Sequence, residues 1–369
     1  MAGGRLHHRA SLPKAQVNTD MLKRLALLLL VVLVIGAAGT WWMRGRLASP
    51  YRGFTEDEVF VPLPSGLGVG AIARRLADAG VVPDTVTFRL GVRLMHLDRR
   101  LEAGEYRFSA AASPVEVADR IARGDVYTRS VTFPEGLTVS EMAAVFARSG
   151  LGSAEEFEAA AANASLAGET IPSARSLEGL LFPSTYSLSR NAGAEGMVSA
   201  MLAQFGREFD DDLRAAAAAR KMSLLDVVTL ASIIEKESAR PDERPIISAV
   251  YHNRLRIGMP LQCDPTVIYA LMQAGRWTGN LRKPDLQMDS RYNTYRYAGL
   301  PPGPIASPGR EALEAAVHPA DVRFLYFVSR NDGSHAFASS LAEHSRNVAK
   351  WQIRYFRSRP VAGALKVAR

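Results

Sequence analysis

The sequence predicts an α+β protein carried by a single N-terminal transmembrane helix. Three observations carry that reading. Residues 25–43 form an uncharged apolar run; a strand–turn–helix pattern occurs twice; and the C-terminal half alternates long helical periods with turn-rich segments ending in a hairpin. The chain has 369 residues, 47% of them hydrophobic and 22% charged. That composition is ordinary for two or three packed soluble domains behind an anchor.

The run Leu25 to Met43 reads LALLLLVVLVIGAAGTWWM. About 19 apolar residues suffice to cross a bilayer's hydrocarbon layer. Trp41 and Trp42 stand at its far end, where interfacial aromatics belong, and Arg5, Arg9, Lys14, Lys23 and Arg24 precede it. Positive charge before the helix places residues 1–24 in the cytoplasm as a tail. The small residues Gly36 to Gly39 would also suit a cleaved signal peptide, but the run is long for one and two tryptophans follow at once. No polar face interrupts the run, which argues against a buried core helix. Residues 44–56 read as a short tether.

The repeated pattern comes next. Leu63-Pro64-Ser65-Gly66-Leu67-Gly68-Val69 is followed by Ile72, Ala73, Leu76, Ala77 and Gly80; later, Phe133-Pro134-Glu135-Gly136-Leu137-Thr138-Val139 is followed by Met142, Ala143, Phe146, Ala147 and Gly150. Each copy reads as a strand, a Pro-x-Gly turn, and a helix with one apolar face closed by glycine. A further strand at Ala103 to Phe108 and a helix at Pro114 to Arg123 lie between them. Together these outline a strand–helix subdomain over 57–152 that resembles a LysM module or is an ordinary α+β domain, which the pattern does not separate. A larger domain of mixed helix and strand follows over 153–358, with a tail at 359–369. Residues 154–220 are alanine-rich and helical, broken by the apolar stretch Leu177 to Tyr186, which holds the single acid Glu178.

The net charge is +8, yet Lys and Arg are interspersed with Asp and Glu, so no basic run marks a nucleic-acid surface. One cysteine, Cys263, excludes an intramolecular disulfide and a cysteine-cluster metal site. No Gly-x-Ser-x-Gly elbow or His-Glu-x-x-His zinc pair occurs, and His252, His318, His335 and His344 are scattered. No metal and no cofactor is expected.

Chemistry concentrates after Met222. Ser223 caps a helix through Leu224, Val227, Val228, Ala231 and Ile234 that ends in Glu235-Lys236-Glu237-Ser238 before Pro241. Asp242 is placed to cap a second helix, with Pro245 in its first turn and Gly258 beyond its end. Residues two apart on a helix point about 200° apart, so Glu235 and Glu237 cannot face one substrate atom. Periodicity alone puts Glu235 nearer the centre of the apolar stripe and Glu237 at its flank. An acid beside apolar residues at a helix end can be held protonated, as a general acid requires. Tyr292-Asn293-Thr294-Tyr295 and the rigid loop Gly299 to Ile305 supply aromatic faces and amides of the kind that pack on sugars and bond their hydroxyls. Ser307 is placed to cap the next helix, with Pro308 at its first position. A strand at Phe324 to Val328, an Asn331-Asp332-Gly333 turn, a strand through His335 to Phe337 and a helix from about Ser340 close the chain.

Taken in order, Glu235-Lys236-Glu237, Asn253-Arg254-Leu255, Gln262-Cys263-Asp264-Pro265-Thr266, Tyr292 to Tyr295, Gly299 to Ile305 and His335-x-Phe337 with His344 resemble the MltG/YceG-like endolytic murein transglycosylases. The likeness spans roughly residues 55–355. It departs at Pro183-Ser184-Thr185-Tyr186, where Pro-Asp-Thr-Tyr is usual, at Cys263, where Thr or Ser is common, and at Ser345, where Asn is common. The resemblance implies cleavage of nascent peptidoglycan strands between N-acetylmuramic acid and N-acetylglucosamine, leaving a 1,6-anhydro-muramyl end and terminating elongation. It implies Glu237 as the catalytic acid. Gln262, Asp264, Asn293, Tyr295 and Glu235 are then the expected substrate-binding residues. It also implies peptidoglycan glycan strands and cell-wall synthases, the penicillin-binding proteins, as partners. The catalytic part would lie outside the inner (plasma) membrane. A non-catalytic peptidoglycan-binding scaffold is the alternative, and a hydrolytic muramidase the nearest enzymatic rival. The two classes differ in whether Glu237 lies in an open groove or is paired off in the core.

Overall fold

The structure, a computed structural model, describes residues 19–170, 176–190, 192–238 and 240–355. Most of the expected tails, up to residue 18 and at 359–369, lies outside the described residues. The chain divides into two compact units between Tyr127 and Thr128.

The first unit begins with helix α1, Thr19–Ala48, whose apolar side chains are exposed from Leu25 to Ile35. It is long and apolar enough to cross a membrane. Strand β1 (Val59–Leu63), helices α2 (Val69–Asp78) and α3 (Thr85–Leu94), strand β2 (Gly104–Phe108) and helix α4 (Pro114–Ala122) follow. β1 and β2 pair antiparallel, from Val59 opposite Phe108 to Leu63 opposite Gly104. Alternation turns Val61 and Leu63 inward, where they meet Leu76, Phe88, Val92, Tyr106 and Ile121 in one core. Asp84 caps α3, and Ser113 with Glu116 forms a capping box on α4, whose first residue is Pro114. Helix α3 had no counterpart in the sequence reading.

The segment expected to be a tether at 44–56 is instead packed. α1 runs on to Ala48, Leu47 is 5% exposed, and Arg46 donates to Asp84 at 2.9 Å. Tyr51 and Ala112 exchange backbone hydrogen bonds, and Gly53 donates to the Gly80 carbonyl at 2.8 Å. Gly80 has φ +67°, and a Cβ there would stand 2.7 Å from the Gly53 backbone. Glycine therefore serves both to end α2 and to admit the incoming chain.

The second unit holds strand β3 (Arg129–Thr132), helices α5 (Val139–Ser149) and α6 (Ala154–Ala162), strand β4 (Thr185–Leu188), and helices α7 (Gly193–Glu208) and α8 (Asp211–Ala219). Helices α9 (Leu224–Glu237), α10 (Arg244–Arg256), α11 (Asp264–Gln273) and α12 (Arg310–Val317) come next. Strands β5 (Tyr326–Ser329) and β6 (His335–Ala338) and helix α13 (Leu341–Val348) complete it. β3 pairs antiparallel with β4, and β5 with β6. The second strand–turn–helix copy, β3 with α5, thus belongs to this unit. The boundary expected at 152/153 falls at 127/128, because the strand partner of β3 is β4, far along the chain.

The second core is built around α9, whose residues from Val227 to Ile234 are all buried. α10, α11 and α12 pack against it. Ser223 caps it as expected, with Asp226 closing a capping box. Two caps differ from expectation. Helix α10 is preceded by a 3-10 turn, Pro241–Glu243, so Glu243 rather than Asp242 is its cap residue. Helix α12 begins after Gly309, and Ser307 is wholly buried, its backbone exchanging hydrogen bonds with Gly136 and Leu137.

Candidate active site

The end of α9 presents two acids to two different surroundings. Glu235 accepts from Arg244 at 3.0 Å and from the Gly309 backbone at 3.1 Å. The same guanidinium bonds Glu311 at 2.7 Å and lies 3.6 Å from Glu135. The Glu235 and Arg244 side chains are 7% and 8% exposed. Burial raises the Glu235 carboxyl and the Arg244 charge opposes that rise. Glu235 is therefore a bracket joining α9, α10 and the start of α12. It does not line the cleft where substrate binding was expected of it.

Glu237 is half-buried on the opposite side, on the wall of an open cleft of about 440 Å³. Tyr251 of α10 donates to it at 3.0 Å, and the Cys263 thiol is a second hydrogen-bond partner. Burial pushes the carboxyl above the ordinary glutamate value; those two bonds and His335 oppose the rise, while the nearby Asp264 carboxylate adds to it. A carboxyl raised by burial at a cleft wall is placed to donate a proton.

Gln262, Asp264 and Tyr295 line the same cleft. Gln262 has φ +51°, a conformation that a non-glycine residue adopts only when its neighbours hold it. Its backbone N–H reaches the Thr294 carbonyl at 3.1 Å, and that of Cys263 reaches Thr294 Oγ1 at 3.0 Å. Asp264 opens α11 and accepts from the Tyr295 hydroxyl at 2.6 Å. Asn293 differs from expectation. It is fully buried, donates to the Leu286 and Met288 carbonyls and accepts from the Tyr295 N–H. Its amide shapes the loop that presents Tyr295 and, being fully buried, does not face the cleft. The proline loop is also internal: Ile305 donates to Ser232 in α9, and a side chain on Gly179 would collide with Pro304.

Several cleft residues had no role in the sequence reading beyond the family motif. Arg254 donates to Leu325 at 2.7 Å and to Leu261 at 2.7 Å, tying β5 to the loop before α11. Asn253 beside it holds the Val322 and Phe324 carbonyls. His335 pairs with the buried Glu243. The His344 ring stacks on Tyr326 at 5.1 Å. The Arg254 and His335 motifs were visible as spacing, but their joint placement depends on the hairpin folding back over α10. Among the described residues, no group of three or more His, Cys, Asp or Glu side chains is arranged to hold a metal ion.

Residues 61–350 match the model of the YceG-like family. An endolytic murein transglycosylase of Bacillus subtilis (strain 168) is 30% identical over 336 residues, covering 86% of this chain and 91% of the relative. One from Streptococcus pneumoniae (strain D39) is 28% identical over 82% of this chain, which spans 60% of that relative's length. A crystal structure of a yceG-like protein from Listeria monocytogenes matches with a TM-score of 0.54 at 29% identity, over 79% of this chain and 99% of the other.

Proposed function

The chain belongs to the YceG-like family, and on that premise we propose that it is a membrane-anchored lytic transglycosylase of peptidoglycan. It cleaves nascent glycan strands between N-acetylmuramic acid and N-acetylglucosamine and leaves a 1,6-anhydro end, so ending elongation. The observation that carries this reading is the setting of Glu237: a carboxyl pushed up by burial, held by two weak donors, on the wall of an open cleft. A scaffold with no activity would have no use for such an acid outside the core.

Glu237 protonates the glycosidic oxygen as the bond to muramic C1 breaks. The substrate's own acetamido group stabilises the developing positive charge, so a second carboxylate is not needed for that step. O6 then closes on C1. No water is consumed, and the reaction is a lyase reaction. Gln262, Asp264 and Tyr295 contact the sugars. α1 crosses the plasma membrane with its N-terminus in the cytoplasm, and both units work on the outer side. The first unit binds glycan in the manner of a LysM module. Partner synthases, penicillin-binding proteins, supply the strand.

A second reading draws on Asp264, a second carboxylate on the same cleft: paired-acid hydrolysis by a muramidase. The products separate the two. The detergent-solubilised full chain is incubated with uncrosslinked glycan, and the ends are identified by mass spectrometry. Anhydro ends support the transglycosylase; reducing ends alone would replace it with the hydrolase.

A further inference from the structure

The outer face of α3 is patterned and bare. Val86, Arg89, Leu90, Arg93 and Leu94 recur at the i, i+3, i+4, i+7, i+8 spacing that puts side chains on one side of a helix. The opposite side, with Thr87, Phe88, Gly91 and Val92, is buried in the first unit. Val86 is 65% exposed and Leu94 60%. Outside α1 they are the only exposed large apolar side chains of the first unit among the described residues. Arg89 and Arg93 are exposed as well, and among the described residues neither side chain makes an ion pair or a hydrogen bond. No acid stands on this face. Arg99 and Arg100 follow α3 in an exposed segment with one acid, Asp98. A helix face that combines apolar side chains with unpaired cations suits the boundary between water and anionic lipid.

Helix α1 fixes where that face stands. It passes Trp42 without a break and packs Leu47 against α3, where a Cβ on Gly91 would meet the leucine at 3.3 Å. The rise from Trp42 to Leu47 is about 8 Å along the helix. Asp84, the cap of α3, pairs with Arg46. Pro83 lines a hollow of about 890 Å³ together with Trp41, Trp42 and Arg44. The start of α3 therefore lies beside the residues that mark the headgroup level when α1 spans a bilayer. With no loose tether in between, α3 stays near that level.

We propose that the outer face of α3 docks on the surface of the bilayer that α1 crosses. Val86, Leu90 and Leu94 enter the headgroup boundary, and Arg89 and Arg93 bind the phosphates of anionic lipids there. The proposal rests on the reading of α1 as a membrane anchor given above. Two features favour lipid over a protein partner. The face is cationic with no acid of its own, which complements a uniformly anionic surface, and it adjoins the segment of α1 that meets the headgroups. The first unit is then held down by α3 as well as by the anchor.

The test places a spin label on the full chain at Leu94→Cys and, in a separate sample, at Leu33→Cys in α1. Cys263 is 1% exposed and takes no label. Each chain is reconstituted in nanodiscs of phosphatidylcholine alone, or of phosphatidylcholine and phosphatidylglycerol in equal amounts. Collisions with a water-soluble nickel complex and with oxygen report the depth of the label. The Leu94 label is expected to be shielded from nickel in the mixed discs and to regain exposure in phosphatidylcholine alone or at high salt. Arg89→Glu combined with Arg93→Glu should lower the ratio of docked to free α3 by roughly 25-fold, about fivefold for each cation removed. If that variant does not fold, the lipid and salt comparisons on the parent decide. Equal nickel exposure of Leu94 in both kinds of disc overturns the proposal: high in both means a bare face, low in both a contact with protein. The Leu33 label separates the two readings. If it is shielded from nickel while Leu94 ignores lipid charge, only the dock fails. If Leu33 is itself open to nickel, the anchor fails first.

Discussion

Glu235 and Glu237 share one helix turn, yet one builds the domain and the other faces its cleft. Both carboxyls are raised by burial. The difference lies in what opposes it. Glu235 has a full positive charge at 3.0 Å, an ion pair that ties three elements together. Glu237 has a phenol and a thiol bonded to it and makes no ion pair, His335 adding only a smaller opposing effect. A buried acid becomes structural where an ion pair fixes it and becomes available for proton transfer where the direct hydrogen bonds come from neutral donors.

The largest effect that could break this contrast is on activity. Glu237→Gln should lower turnover by about 10³-fold with no loss of melting temperature, since it removes a buried ionisable group and no ion pair. A variant that keeps measurable anhydro-end formation at the parental rate ends the comparison. Glu235→Ala should do the reverse. Leaving Arg244 with a vacancy in its shell destabilises the fold by about 3 kcal/mol, read by urea unfolding. Arg244 keeps Glu311, so the lower end of the usual range applies. An unchanged unfolding midpoint would remove Glu235 from the framework.

Glu178 sharpens the contrast from a third position. It accepts from the Val139 N–H at 3.0 Å and the Tyr269 hydroxyl at 3.2 Å, away from the cleft, and burial pushes it up to about 7. Glu178 also lines an open cleft of its own, of about 400 Å³, so neutral donors, a raised carboxyl and an open cleft do not by themselves make an active site; Gln262, Asp264 and Tyr295 around Glu237 set the two apart. Below the ordinary value of 4.5 the acid is protonated in both folded and unfolded chain. Between there and about 7 only the folded chain holds the proton, so stability falls as pH rises across that window and stays reduced above it. The fall is on the order of 3 kcal/mol. Glu178→Gln should flatten that part of the melting-temperature profile between pH 4.5 and 7.5. An unchanged slope would assign the pH dependence to the acids of α9.

The smallest effect concerns the thiol. Cys263→Ser puts a stronger donor on Glu237 and favours its anion. Since the protonated acid is the reactive form, the alkaline limb of kcat/KM should move to lower pH, with a loss of tenfold or less on that limb. A shift to higher pH would show that Cys263 does not donate to Glu237.

Much of this was legible in the chain. The apolar run of α1, the Ser223 cap, the length of α9 and the β5–β6 hairpin each rest on neighbours within a few residues. So does the divergence of Glu235 and Glu237. Asn293 was misassigned because a polar side chain in a Tyr-rich loop looks the same whether it faces sugar or its own backbone. The tether was misread because composition does not show that Tyr51 finds Ala112, or that Gly53 fits beneath Gly80. His335 and Glu243 were never paired in the sequence reading, because they lie 92 positions apart.

The sequence by itself determined the elements, their caps and the two acids pointing apart, because helix geometry and capping act over one or two turns. Only the tertiary structure decided which acid meets Arg244 and which meets the cleft. It also decided that the second strand–turn–helix copy joins the larger unit and that the residues after the anchor are packed. Those outcomes depend on pairings between distant segments, whose closure is governed by the burial of a shared core and leaves no local mark on the residues involved.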